Sequence, residues 1–271
     1  MDPRNYQIVA LSAFVVFGIT RLGFQIEWLN AVVIIATAFF TQQFLFEPGQ
    51  GKSALISSLS LVLLLRTEFV AVAALAAIVA IASKRFLRMD GAHVCNPSAF
   101  SLVLIAGLTP YAYLSPGQWG ALGVSAFLVV GCGLMVVSRA QRLDVAMAFL
   151  LTYLAIVFIR GVYLGDPISI AWHQMQNGAL LLFAFFMITD PKTTPVHAGA
   201  RVLFGVLIAA TAAVLQFYFY ISTAAIYALV ALAPVVIILN FYSRRPQYEK
   251  LQKSGAGRHA VRCSGIHANA G

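Results

Sequence analysis

Apolar runs that are too long and too frequent for a soluble protein dominate this chain. Of its 271 residues, 61% are hydrophobic and 10% are charged, whereas a soluble domain has roughly 45–50% apolar and about 25% charged residues. Apolar runs separated by charged residues or by Pro and Gly predict membrane-spanning helices. Ten segments result, at residues 6–24, 28–46, 53–65, 69–83, 97–114, 118–137, 143–162, 174–189, 199–215 and 219–241.

The positions of Lys and Arg predict the orientation of these segments. With the N-terminus in the cytoplasm, three of the 18 cations fall on the outer side, namely Arg21, Arg66 and Arg160, and all others fall on the inner side. Cytoplasmic loops of membrane proteins carry an excess of Lys and Arg. The sequence therefore predicts a multi-pass protein of the bacterial inner membrane with both termini in the cytoplasm.

The third and eighth segments are too short to span a bilayer. The run Ala54–Leu65 would rise about 18 Å and the run Gly178–Ile188 about 16 Å, against a hydrocarbon core of about 30 Å. Each is third in its own half of five, and an odd number of spans gives the two halves opposite orientations. The predicted fold class is therefore an all-α polytopic membrane protein with ten transmembrane helices in two inverted five-helix repeats, about 1–115 and 116–243, with short broken helices.

This geometry leads to an expectation about the main chain at the ends of the two short helices. Main-chain groups at the ends of the two short helices are expected to be unpaired and to face each other at the centre of the bundle, where they can line a binding cavity. The alternative is that both segments are ordinary spans whose polar residues are buried between helices.

The chain ends in a basic segment, residues 244–271, after the transmembrane domain of residues 1–243. Much of the net charge of +9 lies in this segment. Its Gly, Ser, Ala and Lys/Arg content without apolar periodicity predicts disorder. A basic segment next to a membrane attracts anionic lipid, so we expect lipid and not nucleic acid as its partner.

A motif at Gly91–Phe100 opens the fifth segment. Pro97 suits the first turn of a helix, and Asn96 is then a natural N-cap. Capping accounts for both residues but not for His93, whose ring carries a donor and an acceptor. The alternative is that His93 and Asn96 bind a polar heterocycle or an anion at a helix N-terminus.

A second motif, Phe185–Pro195, ends the eighth segment. Thr189, Asp190 and Pro191 begin a stretch that can satisfy its own main chain through side-chain turns. An acidic residue at the end of a broken helix is costly in a bilayer and suggests a functional site. A cytoplasmic turn with Asp190 in water is the alternative.

Motifs of self-contained catalysis are absent from the sequence. No HExxH motif, P-loop or Ser/His/Asp set occurs. Cys95, Cys132 and Cys263 lie far apart and form no CxxC pair, so no metal site is predicted.

Both motifs resemble those of the membrane-subunit family that comprises NqrB, of the Na⁺-pumping NADH:quinone reductase, and RnfD, of the Rnf complex. The family pattern G-[KQ]-[HN]-x-x-N-P-A is similar to Gly91–Ser98, and F-F-M-A-T-D-P-x-[TS]-x-P is similar to Phe185–Pro195. Lys52–Ile56 also resembles the family, and the likeness runs from about residue 50 to 242.

The resemblance implies two inverted five-helix repeats, a role in membrane electron transport, and other membrane redox subunits as partners. It also implies riboflavin held non-covalently near the NP motif and FMN joined to a threonine, and the riboflavin site carries over here to His93 and Asn96. The predicted cofactor is riboflavin or FMN, held non-covalently, and the predicted binding residues are His93, Asn96, Pro97, Thr189, Asp190 and Pro191. A small-solute or ion transporter or channel that uses the same cavity is the alternative, and a subunit that only anchors redox partners is a third possibility.

The chain departs from the family at one place. The family attaches FMN covalently to a threonine of an S-G-A-T motif between the seventh and eighth segments. Here that interval, Gly161–His173, contains no threonine. Covalent FMN is therefore not expected.

Overall fold

The protein is built mainly from α-helices. The computed structural model describes residues 3–20, 26–46, 49–89, 92–115, 123–175 and 177–242, so the basic segment 244–271 and its predicted lipid contacts lie outside the described residues. The helices are α1 (Pro3–Thr20), α2 (Trp28–Leu45), α3 (Gly51–Leu64), α4 (Val70–Phe86), α5 (Pro97–Leu108), α6 (Gly123–Ala140), α7 (Leu143–Leu164), α8 (Ile168–Met175), α9 (Gly178–Leu182), α10 (Ala198–Phe217), α11 (Ala224–Ala231) and α12 (Ala233–Tyr242).

Some of the described helices have the length and surface of membrane spans. Of these helices, α2, α7 and α10 are each long and apolar enough to cross a bilayer, and α11 with α12 also qualifies if the bent pair is one span. Phe44, Phe40 and Ile159 are 94%, 77% and 67% exposed, as side chains that face lipid would be. The predicted helical membrane protein is confirmed, while the count of ten spans and their orientation stay predictions.

Several helices are shorter than a bilayer is thick. The third and eighth segments are short, as predicted: α3 has 14 residues, and α9 continues through a π-helical turn, Phe183–Met187, before it ends. The fifth segment was predicted to be helical over 97–114, but α5 ends at Leu108. The reason is that Thr109 and Pro110 interrupt it, since proline disfavours the helical conformation of the residue before it.

Two more predicted segments are interrupted. The segment 174–189 was predicted to be one helix, but α8 ends at Met175, and Asn177 then caps α9 by accepting from the amides of Ala179 (2.9 Å) and Leu180 (3.3 Å). The segment 219–241 is bent by 47° between α11 and α12.

Two short antiparallel strand pairs connect parts of the first half. Strand β1 (Leu65–Thr67), directly after α3, pairs with β4 (Ala112–Leu114), which follows α5. Strand β2 (Arg88–Met89) pairs with β3 (Ala92–His93) between α4 and α5. The first pair gives the main chain beyond α3 hydrogen-bond partners within the fold.

Three helix pairs of the first half recur in the second half. In the first half, α1 packs against α3, α2 against α4, and α4 against α5. In the second half, α6 packs against α9, α7 against α10, and α10 against α11. Between the halves, α1 contacts α6 and α5 contacts α11.

Small residues allow the closest of these helices to approach each other. Four alanines of α4 are fully buried: Ala73, Ala76, Ala77 and Ala80. In α10, Gly205 lies directly against α7, where an added Cβ atom would be 2.8 Å from the carbonyl oxygen of Val145 and 3.1 Å from the amide nitrogen of Phe149. Small residues at such contacts are typical of helix packing in membranes.

Replacing Gly205 with alanine is expected to destabilise the protein. The new methyl group would meet main-chain atoms of α7, which cannot rotate away, and overpacking of this kind costs about 1–3 kcal/mol. Thermal unfolding of the purified protein in detergent measures the loss. Gly199→Ala, in the same helix with no neighbouring atom within 4 Å, is the matched control and should not lower the unfolding temperature. Equal stability of the two variants would contradict the close contact.

Candidate functional site

One cavity contains both motifs that the sequence indicated. It has a volume of about 560 Å³, within the range of about 300–1,000 Å³ that is typical of ligand pockets. We call it the NP–TDP cavity. All six predicted site residues line it: His93, Asn96, Pro97, Thr189, Asp190 and Pro191. Residues almost a hundred positions apart in sequence are therefore brought together.

Asn96 links the two motifs directly. Its side-chain oxygen accepts a hydrogen bond from the amide of Ala99 (3.1 Å) and caps α5, as predicted. Its side-chain Nδ2 donates to the carbonyl oxygen of Met187 (3.4 Å), at the end of the π-helical turn. Capping and contact with the second motif are thus combined in one buried amide.

The carbonyl groups at the end of the π-helical turn are satisfied by side chains. Thr189 Oγ1 donates to the carbonyl oxygen of Phe185 (2.7 Å), and Gln7 Nε2 of α1 donates to that of Phe186 (3.5 Å). With the bond to Met187 described above, three successive carbonyls have partners. The expectation that these main-chain groups are unpaired is wrong, because polar side chains from three parts of the chain reach them.

Asp190 lies in a turn at the wall of the same cavity. Its Oδ1 accepts a hydrogen bond from the amide of Lys192 (3.0 Å), and its carbonyl oxygen accepts from the amides of Thr193 and Thr194 (3.1 Å each). The side chain is partly buried. The turn therefore lines the cavity, and a role of Asp190 in ligand binding stays a prediction.

His93 presents a neutral ring with a free position. The side chain is 8% exposed, and its Nδ1 has no hydrogen-bond partner among the described residues. Burial lowers the pKa of His93 to about 4, helped by the positive charges of Lys192, Lys84 and Arg88. The ring is therefore neutral at physiological pH, and Nδ1 can hydrogen-bond a ligand.

Other residues of the cavity were missed by the sequence analysis. Three serines of α3 line it: Ser53, Ser57 and Ser60. Their spacing of four and three residues places them on one face of a helix, which was the available signal. Lys84, at the end of α4, also lines the cavity and donates to the carbonyl oxygen of Ser53 (2.8 Å) and to its hydroxyl group (3.1 Å).

The other short helix ends at a different cavity. A space of about 600 Å³, which we call the hairpin cavity, lies beside the β1–β4 pair and is lined by Arg66, Thr67, Tyr111 and Tyr113 among others. Arg66 Nη1 donates to the carbonyl oxygens of Val62 (3.2 Å) and Leu65 (2.9 Å) at the end of α3. The ends of α3 and α9 thus line separate cavities and do not line one shared site, contrary to the expectation.

The family comparison covers the second motif but not the first. Residues 104–249, more than half of the chain, match the NQR2, RnfD, RnfE family. The chain belongs to this family. The match includes Thr189, Asp190 and Pro191 and begins after His93 and Asn96.

A curated relative supports the same assignment. This relative, a subunit of an ion-translocating oxidoreductase complex from Vibrio atlanticus (strain LGP32), is 26% identical over 171 residues, which are 60% of this chain and 49% of the relative. The chain therefore spans about half the length of this curated relative.

The neutral state of His93 predicts a pH dependence of stability. The folded pKa of about 4 lies below the ordinary value of about 6.5, so the unfolded chain takes up a proton first as the pH falls between these values. Stability is therefore lost as the pH falls from 6.5 towards 4. The variant His93→Asn should not lose stability in this way, because asparagine does not titrate in this pH range. The family pattern also has asparagine at this position. Thermal unfolding of both proteins over this pH range measures the difference, and parallel curves would contradict the assignment.

Proposed function

We propose that this protein is a membrane subunit of an ion-translocating electron transport complex and holds a flavin non-covalently in the NP–TDP cavity. The observation that carries the proposal is the meeting of both family motifs at one cavity of ligand size, with an unpartnered imidazole nitrogen in its wall. Membership of the NQR2, RnfD, RnfE family supports the electron-transport role.

The proposed architecture is ten spans in two inverted repeats of five. Its support is the repetition of the same helix contacts in the two halves. A second observation agrees in direction: Ser53, near the start of α3, and Phe186, near the end of the π-helical turn that continues α9, both line the NP–TDP cavity. The start of one short helix and the end of the other at one cavity is an arrangement that an inverted repeat would produce.

The residues that would hold the flavin are of two kinds. His93 and Asn96 offer hydrogen bonds to the polar edge of the ring system, and Thr189 and Asp190 shape the wall opposite the start of α5. Apolar contact comes from Ile56, Val136 and Phe186, which also line the cavity. A flavin would supply the electron-transfer chemistry, while the protein orients it and tunes its potential by hydrogen bonding and burial.

Non-covalent binding is part of the proposal. The interval Gly161–His173 comprises the end of α7, a turn at Gly165 and the start of α8, and it contains no threonine to which FMN could be attached. We therefore assign the flavin to the NP–TDP cavity.

The proposed partners are other redox subunits of the same membrane complex. Iron–sulfur clusters need sets of cysteine or histidine ligands, and among the described residues no three His, Cys, Asp or Glu side chains form a group that could hold a metal. Electrons would therefore be delivered and removed by neighbouring subunits. The proposed location is the bacterial inner membrane with both termini in the cytoplasm, which places the NP–TDP cavity on the cytoplasmic side.

The proposal predicts that the purified protein carries flavin, and that the side chains of His93 and Asn96 contribute to flavin affinity. His93→Leu removes the imidazole, and Asn96→Ser keeps an N-cap oxygen but removes the amide donor. Each should lower flavin affinity about tenfold, the effect of losing one hydrogen bond worth about 1.4 kcal/mol. The measurement is the visible absorbance and the fluorescence of flavin released from a known amount of protein.

The control variant lies at the other cavity. Tyr113→Phe removes a hydroxyl group from the lining of the hairpin cavity and should leave the flavin content unchanged. Absence of flavin from gently purified protein, both alone and with co-expressed partner subunits, would overturn the proposal. Uptake of a polar solute by proteoliposomes of such flavin-free protein, abolished by Asp190→Ala, would identify a transporter instead.

A further inference from the structure

The NP–TDP cavity has an excess of positive charge that a neutral ligand does not explain. Four cationic side chains line it, and one carboxylate opposes them, that of Asp190. The cations are Arg4, Lys84, Arg139 and Lys192. Cations at the cytoplasmic end of a membrane protein are ordinary where they face water, as Arg139 and Lys192 do. A buried cation requires another reason.

Lys84 is such a buried cation. Its side chain is 3% exposed, and its two hydrogen bonds go to neutral groups of Ser53. An ammonium group has three donors, and the third has no partner among the described residues. No carboxylate oxygen of those residues lies within 4 Å of Nζ to form a salt bridge. The carboxylate of Asp190 attracts this ammonium group without forming a salt bridge, and that attraction offsets only part of the cost of burying it. An anion in the cavity would therefore stabilise this arrangement further.

Two helices also direct their positive ends towards this cavity. Ser53 lies in the first turn of α3, and Pro97 and Ser98 form the first turn of α5, and all three line the cavity. Helix N-termini favour anions because of the helix dipole. The helix ends and the buried ammonium group therefore act on the same space.

We infer that the NP–TDP cavity binds a phosphate group, with Lys84 as its buried ligand. Phosphate is the dianion that Lys side chains and helix N-termini commonly bind in proteins. The group could come from free inorganic phosphate or from the phosphate ester of the bound cofactor. If the cavity binds a flavin, as proposed above, the bound flavin is FMN and not riboflavin. The assignment of FMN therefore rests on the proposed function.

The experiment compares ligands that differ by a phosphate group. The full chain, purified in phosphate-free buffer and freed of flavin, is titrated with riboflavin and with FMN, and quenching of flavin fluorescence reports binding. FMN should bind at least tenfold more tightly than riboflavin. Inorganic phosphate alone should raise the unfolding temperature and compete with FMN.

Three variants assign the effect to the cavity. Lys84→Met should lower FMN affinity about tenfold or more, as expected for a charge-assisted hydrogen bond, and leave riboflavin affinity unchanged. Lys192→Gln, at an exposed position of the cavity lining, should weaken FMN binding selectively but by less, because water screens this charge. Lys52→Met is the matched control, because Lys52 is exposed, next to Ser53 in α3, and should have no effect.

The outcomes separate this inference from the flavin proposal. Equal affinities for FMN and riboflavin, or an equal loss of both in Lys84→Met, would overturn the phosphate site and leave the flavin proposal standing. Stabilisation by inorganic phosphate that Lys84→Met abolishes, in a protein that binds neither flavin, would support the phosphate site and overturn the flavin proposal.

Discussion

The structure depends on one constraint: an apolar surrounding offers no water, so each main-chain polar group needs a partner within the protein. Helices that end inside the bundle meet this constraint with difficulty, because their last carbonyl groups have no helical partners. The chain uses two solutions. Beyond α3, a strand pair and the guanidinium group of Arg66 supply partners. Beyond the π-helical turn, Gln7, Asn96 and Thr189 do so.

The second solution also builds the candidate site. Gln7, Asn96 and Thr189 satisfy the end of a helix and at the same time line the NP–TDP cavity. Their structural roles are therefore coupled to the ligand-binding role that we propose for the cavity, and a substitution that removes either hydrogen bond of Asn96 would affect both. This is why a variant that keeps the N-cap oxygen is more informative than alanine. Under the proposed function, a helix end that is costly to bury would be retained because it forms part of a binding site.

The sequence was most informative where local chemistry determines structure. Asn96 and Pro97 predicted the start of α5, and the apolar runs predicted both short helices. Features that depend on distant residues could not be predicted in this way. The strand that follows α5 pairs Leu114 with Leu65, and no local signal indicates that partner. Lys84 was assigned to the cytoplasmic end by its charge alone, since burial depends on how α4 packs against the rest of the bundle.

The cavity combines two kinds of recognition that depend differently on their surroundings. His93 and Asn96 are neutral, and their hydrogen bonds require contact and direction. Lys84 is a charge in a poorly polarisable environment, where attraction is weakly screened and acts over a longer range. The neutral groups would therefore determine the orientation of a ligand, and the cation would contribute much of its affinity. A ligand with a polar ring at one end and an anion at the other would contact both His93 and Asn96 and the ammonium group of Lys84. A ligand with only one of these features would leave the other group of side chains without a partner.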